Sequence, residues 1–348
     1  MLSASPPRVL RTDPAAPDPA VVAEAARVLR AGGLVAIPTE TVYGLAANAL
    51  DPRAVARIFA AKGRPSFNPL IAHVPDADAA RALVAAWPEA AERLAAACWP
   101  GPLTLVLPKR AGVVPDAVTA GLPAVAVRVP AHPVALAVLR AAGLPLAAPS
   151  ANRYTELSPT SAEHVVRALG GRVDLVVDGG PTGVGIESTV VDLTGPAAGR
   201  GPARLLRPGT LSADHLAELL GAPLLPAPPP AAADAPRLAP GMVERHYAPR
   251  AAVWPYLPGE ADAVAQRLDA ARAARTPPRT GALVLWAPAP PGVDHPVVMS
   301  PDPAEYAQAL YAALHALDDA GCAVVLVQLP PDVPAWAGVR DRLARASQ

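Results

Sequence analysis

Proline restricts this chain more than any other residue, because it fixes φ and removes a backbone donor. The chain holds 46 prolines, and they crowd together in the run 224–236, LLPAPPPAAADAP. Such a run forms neither a helix nor a central strand and reads as an extended, polyproline-like linker. With 348 residues, the chain is long enough for two domains of about 100–200 residues each. The expected division is a large domain over 14–210, a linker over 211–250 and a small domain over 251–348.

Composition narrows the classes further. Apolar residues make up 52% of the chain, enough for a substantial core, and the net charge is zero. A whole-molecule field that gathers nucleic acid is therefore not expected, and any anion site must be assembled locally from a few cations. No run approaches the roughly 18 apolar residues of a membrane-spanning helix. The first 20 residues, MLSASPPRVLRTDPAAPDPA, lack the apolar centre of a secretion signal. The expectation is a soluble cytoplasmic protein. Cys98 and Cys322 are too far apart in sequence for a CxxC motif.

Short apolar runs alternate with helical patterns through the first 210 residues, as in an α/β domain. Expected strands are 34–37, 70–74, 103–107, 124–129, 173–178, 190–193 and 204–206. Asp51-Pro52 reads as an N-cap followed by proline at the first helical position, opening a helix that stops at Lys62-Gly63. Thr160-Ser-Ala-Glu163 reads as a capping box. The last hundred residues predict strand (251–257), helix (260–275), strand (281–286), strand (296–299), helix (303–319), strand (323–328) and helix (334–345). That order suggests a small parallel sheet, Rossmann-like in outline.

Several segments invite chemistry. In the strand Ala124-Val-Ala-Val-Arg-Val129, alternation puts Arg128 on one face with two alanines. Its planar fork suits a carboxylate or phosphate, although for a lone strand arginine a structural ion pair with a nearby acid is the commoner explanation. His73 lies opposite Leu70, Ala72 and Val74, and a lone strand histidine is as readily a core residue. Lys62-Gly-Arg-Pro-Ser-Phe-Asn-Pro69 places two cations in a proline-locked turn, suited to polyphosphate or simply to a helix C-terminus. Ser150 and Asn152 leave a strand end, where open α/β sheets bind ligands. The stretch Gly179–Thr189 matches neither the dinucleotide fingerprint nor the phosphate-binding P-loop, yet its backbone can approach an anion.

Together these segments closely resemble the threonylcarbamoyl-AMP synthase family, the YrdC-like proteins with a C-terminal extension. The matching blocks, in order, are Ile37-Pro-Thr-Glu-Thr-Val-Tyr-Gly-Leu45, Lys62-Gly-Arg-Pro, Asn68-Pro-Leu-Ile and Trp99-Pro-Gly-Pro-Leu-Thr104. Val127-Arg-Val-Pro, Ala148-Pro-Ser-Ala-Asn152, Ser158-Pro-Thr, Ile186-Glu-Ser-Thr-Val190 and Leu206-Arg-Pro-Gly209 follow. In the linker, Pro240-Gly-Met and Arg245-His-Tyr-Ala-Pro249 match the longer members. Two places depart: Ala46 stands where glycine is frequent, and Arg153–Leu157 replaces a Ser-Gly-containing turn.

The resemblance implies an open, twisted α/β sheet around a basic cavity, plus the small Rossmann-like domain. It implies that L-threonine, bicarbonate and ATP become threonylcarbamoyl-AMP and pyrophosphate, and that the product passes to a tRNA threonylcarbamoyl transferase complex. Carried onto this sequence, Lys62 and Arg64 serve catalysis. Thr41, His73, Arg128, Ala148 and Ser188 hold threonine. Arg64, Asn68, Ala124, Ser150, Asn152, Ser158, Arg207 and Tyr247 hold ATP, with His246 beside Tyr247 closing over the pocket. Mg²⁺ is expected to arrive with the triphosphate, since hard oxygen-ligand clusters are lacking, and no other cofactor or membrane partner is implied. Two rival readings stay open, an RNA-binding module with weak tRNA or double-stranded RNA affinity and the carbamoyl-adenylate chemistry of hydrogenase maturation. The small domain could also bind a partner.

Overall fold

In the computed structural model, which describes residues 6–228, 238, 247–273, 277–286 and 288–348, the short apolar runs of the first domain become strands of one mixed sheet. In chain order these are β1 Arg8–Arg11, β2 Val35–Ile37, β3 Gly44–Asn48, β4 Ile71–His73, β5 Leu103–Pro108 and β6 Ala124–Arg128. They continue with β7 Leu146–Ala147, β8 Leu175–Asp178, β9 Thr189–Asp192, β10 Arg204–Arg207 and β11 Leu225–Pro226. Across the sheet the order is β1-β8-β2-β3-β7-β4-β6-β5-β9-β10-β11. The large domain thus takes in residues on both sides of 14–210. β1 pairs with β8, and β11 lies at the far edge beside β10, where a proline removes no ladder bond that matters.

Alternation decides which face of each central strand is buried. Leu70, Ala72 and Val74 share a core with Val125, Val127 and Val129, sealed by helices that include Pro52–Lys62 and Glu89–Cys98. Helix Pro52–Lys62 starts at Asp51, which accepts from the Arg53 amide at 2.9 Å, and ends at Gly63 with φ 63°. Helices Pro19–Arg30 and Pro133–Ala142 build a second core over β2 and β8. Among the described residues, the opposite face of β4, β6, β5 and β9 carries a small apolar patch: Ile71, Val106, Ala124, Ala126, Val190 and Leu206, with Leu238 packed against it.

One expected cap is displaced. The helix Ala162–Leu169 is capped by Ser161, which accepts from the His164 amide, and not by Thr160. Thr160 is buried, and its carbonyl is taken by the Thr182 amide.

The small domain is a four-stranded parallel sheet made of β12 Ala252–Tyr256, β13 Thr280–Val284, β14 His295–Val298 and β15 Val324–Gln328. Its order is β12-β15-β13-β14, with helices on both faces as a parallel sheet requires. Its main core is not self-contained. Leu310, Tyr311, Leu314 and Val339 pack in one cluster with Val42, Leu157 and Ile186 of the large domain and Tyr247 of the linker. The two domains therefore share a continuous apolar interface.

Candidate active site

β4 and β6 are parallel neighbours, and their register sets His73 directly beside Arg128. Both side chains leave the core face and enter a small cavity, of about 40 Å³, on the other side of the sheet. Thr39, Thr41 and Val42 line it from the turn between β2 and β3, while Ala148, Pro149 and Ser150 line it from the end of β7. Glu187 and Ser188 precede β9, and Arg207 ends β10. Arg64 and Tyr247 complete the wall.

Arg207 reaches the cavity because of a bulge. The β9–β10 register shifts between Leu205 and Arg207, so consecutive residues Leu206 and Arg207 both face the ligand side, a frequent use of bulges beside functional sites. Arg207 then donates from Nε to the Ser188 carbonyl at 3.1 Å and from a terminal nitrogen to Ser188 Oγ at 3.2 Å. Ser188 Oγ also meets Thr104 Oγ1 at 2.8 Å. Those partners make Ser188 a positioned hydrogen-bonding hydroxyl. An activated nucleophile needs an adjacent base instead.

Arg128 is 4% exposed and ion-paired: one terminal nitrogen donates to Glu40 Oε1 at 2.7 Å, and Nε donates to the Gly101 carbonyl at 3.3 Å. The other carboxylate oxygen of Glu40 is buried with no hydrogen-bond partner among the described residues. Glu40 had no role in the sequence expectation although it lies inside the PTETVYGL block. His73 contacts the Ile71 carbonyl through Nδ1 at 3.3 Å. Burial, reinforced by the Arg128 charge, holds its pKa down to about 3, so the ring is neutral at physiological pH and contributes hydrogen bonding without charge.

The two expected catalytic cations separate. Arg64 lines the cavity, donates to the Pro69 carbonyl at 3.1 Å and faces the Tyr154 ring at 5.9 Å. Burial pulls its pKa to about 10, and the nearby Arg207 charge adds to that. It stays charged. Lys62 lies behind the wall. Its Nζ donates to the carbonyls of Ser150 at 2.6 Å and Asn152 at 2.5 Å, so it fastens the loop that presents Ser150. Burial first, then Arg64, pushes its pKa well below the usual lysine value.

Of the other expected residues, Thr41, Ala148, Ser150 and Tyr247 line the cavity. Asn68, Asn152, Ser158 and Ala124 stand one layer back. Asn68 donates to the Tyr154 hydroxyl at 3.1 Å, Asn152 donates to the Arg153 and Glu156 carbonyls, and the Ser158 hydroxyl donates to Glu187. Ala124 belongs to the apolar patch beneath the pocket. Burial raises the Glu187 carboxyl, but Arg342, Arg207 and Ser158 outweigh that and hold it below the ordinary range. Within the departing turn, Thr155 adopts φ 70°, a region glycine favours, and its carbonyl accepts from the Ala248 amide at 2.9 Å. His246 lies outside the described residues. Among those described, no group of three His, Cys, Asp or Glu side chains could hold a metal ion, and no helix is long and apolar enough to cross a membrane.

Fold and site define a YrdC-like α/β protein whose pocket gathers buried cations and hydroxyls in one wall. The family model described as "Telomere recombination" matches residues 27–209, and that of the "Threonylcarbamoyl-AMP synthase, C-terminal domain" matches residues 211–348. The chain is 42% identical to the threonylcarbamoyl-AMP synthase of Pyrococcus abyssi over 93% of each chain. It is 47% identical to that of Bacillus subtilis over 66% of this chain and 65% of the relative. The crystal structure of P. abyssi Sua5 complexed with L-threonine superposes with a TM-score of 0.88 at 38% identity, covering 97% of both chains. The chain belongs to the threonylcarbamoyl-AMP synthase family.

Proposed function

We propose that this chain condenses L-threonine, bicarbonate and ATP into L-threonylcarbamoyl-AMP, releasing pyrophosphate and the water that bicarbonate loses in becoming CO₂, as the first step of N6-threonylcarbamoyladenosine formation in tRNA. The observation that carries the reading is the single cavity in which Arg128 and His73 stand side by side while Arg64 and Arg207 occupy the same wall. Arg128 and Ser188 suit an amino-acid carboxylate, and Thr39, Thr41 and neutral His73 suit its amine and hydroxyl. Arg64 and Arg207 suit phosphate oxygens.

The threonine amine adds to CO₂ to give a carbamate. A carbamate oxygen attacks the α-phosphorus of ATP, and pyrophosphate leaves with the electron pair of the broken P–O bond. Such a transfer needs alignment and charge neutralisation more than covalent help from the protein. Preorganised donors are worth roughly 3–4 kcal/mol each at such a centre. Lys62 contributes by fixing the Ser150–Asn152 loop. Mg²⁺ would enter on the triphosphate: Glu187, the carboxylate in the pocket wall, is engaged by Arg342, and Glu40 behind the wall pairs with Arg128, so phosphate oxygens would supply the hard ligands. Tyr247 caps the pocket and keeps water from the labile mixed anhydride. We infer that the product passes to a tRNA-modifying transferase and that the enzyme works in the cytoplasm.

The test follows pyrophosphate release from ATP, Mg²⁺ and bicarbonate with and without L-threonine. Threonine-dependent release, lost in folded Arg128→Ala and Lys62→Ala variants, is expected. Release indifferent to threonine, or dependent on carbamoyl phosphate instead, overturns the reading.

A further inference from the structure

Two loops form one side of the pocket: 185–188, which ends in Ser188, and 207–209, which begins with Arg207. Neither is held by its own domain alone. Arg342, in the helix Ala337–Ala346 of the small domain, is 1% exposed and reaches across the interface to both. It donates from Nε to Glu187 Oε2 at 2.7 Å, from one terminal nitrogen to the Glu187 carbonyl at 3.2 Å, and from the other to the Pro208 carbonyl at 3.0 Å. Tyr311, on helix Pro303–Asp319, donates its hydroxyl to Glu187 Oε2 at 3.1 Å. The other oxygen of that carboxylate accepts from Ser158.

The loops are also seated on small-domain backbone. A Cβ on Gly185 would stand 2.4 Å from the Ala307 carbonyl oxygen, and one on Gly338 would stand 2.5 Å from the Gly209 carbonyl oxygen. These contacts fall on the residues that flank Ser188 and Arg207. The Arg342 guanidinium also lies 5.1 Å from the ring centre of Tyr247, which lines the same cavity.

We propose that Arg342 and Tyr311 are positioning residues for the reaction: by fixing Glu187 and Pro208 from the small domain, they set the geometry of Ser188 and Arg207 in the pocket. The proposal rests on the function given above. It assigns the small domain the role of a template for the active site, distinct from glue. A planar fork that satisfies two loops at once is what Arg supplies and an apolar side chain does not. Mere adhesion has a different signature. Replacing a buried ion pair by apolar groups often leaves stability unchanged or improved, whereas a misplacement of about 1 Å at a reacting centre costs about 100-fold in rate.

The experiment measures kcat and KM for threonine and ATP in the full chain, at a temperature well below the Tm of each variant. Arg342→Met is expected to lower kcat/KM about 100-fold, and Arg342→Lys to recover part of it. Glu187→Gln combined with Arg342→Met is expected to be no worse than the poorer single variant, because both act through one carboxylate. If Arg342→Met does not fold, Tyr311→Phe decides, since it removes one hydroxyl donor to a charged acceptor and should cost about tenfold. Variants that fall in Tm with kcat/KM unchanged, or whose losses add in the double variant, overturn the proposal. If the wild type shows no threonine-dependent release, the assigned reaction has failed, and ATP affinity by calorimetry then reads the positioning, with the same losses expected.

Discussion

Arg128 allows a ligand-binding role to be separated from a structural one. Its guanidinium is 4% exposed, and its partner Glu40 is 13% exposed across a 2.7 Å contact. Arg128→Ala leaves the Glu40 carboxylate buried without its cation. Breaking a buried pair costs about 3–5 kcal/mol, and the partial exposure of Glu40 puts the loss at the lower end, about 3 kcal/mol. The same substitution removes charge-assisted bonds to a bound carboxylate, worth about 1.5–3 kcal/mol. At about 1.4 kcal/mol per decade, threonine affinity falls roughly 10- to 100-fold. Glu40→Gln in the Arg128→Ala background removes the stranded charge while keeping its shape. Urea unfolding should then return most of the stability, and calorimetry should show threonine affinity still lost. Affinity restored along with stability, or unchanged in Arg128→Ala, would refute the reasoning and leave Arg128 as half of an ion pair.

Two further outcomes follow from the interface and the histidines. Gly338→Ala sets a methyl 2.5 Å from the Gly209 carbonyl oxygen and 2.8 Å from its carbon; an overpacked contact of this kind costs about 1–3 kcal/mol. The urea midpoint should drop, and an unchanged midpoint would show that the helix seats more loosely than described. Across the same interface, His164 and His315 stack with ring centres 3.8 Å apart, beside Arg167 and Asp319. Burial, then the His315 and Arg167 charges, lowers His164 to about 4, and burial lowers His315 and His73 as well. A depressed histidine binds its proton more readily unfolded. Stability is therefore undiminished above the ordinary histidine value near 6.5 and falls as pH drops through 6.5 toward 4. Urea midpoints taken on both sides of that window should decline with acid, less steeply in His164→Gln. A flat profile would contradict buried neutral rings.

Much of the site was legible because strand alternation is local. Arg128 with Ala124 and Ala126, and His73 opposite Leu70, Ala72 and Val74, occupy the faces their spacing predicts. Their adjacency was not legible, since the pairing of β4 with β6 joins residues more than fifty positions apart. Nor was the β10 bulge, which turns Arg207 inward against simple alternation. β3, Gly-Leu-Ala-Ala-Asn, has no β-branched residue to announce a strand. Helix Pro19–Arg30 did carry a signal, an Asp18 cap before proline with an apolar stripe. Glu187 lay in a recognised block, yet its partners Tyr311 and Arg342 come from helices whose sequences look like ordinary surface-and-core patterns. Lys62 shows the converse: a side chain at a helix end suited by sequence to phosphate donates hydrogen bonds to two backbone carbonyls, a choice that only the folded chain makes.

The clamp on Glu187 also has a consequence in time. Arg342 follows its partner by 155 residues. At a synthesis rate of about 5–20 residues per second, the pocket loops precede it by roughly 8–30 s. During that interval a growing chain carries the cavity-lining arginines of β6 and β10 without the side chain that fixes the loops around them. Ribosomal order thus withholds a finished pocket until the second domain has been made and has docked.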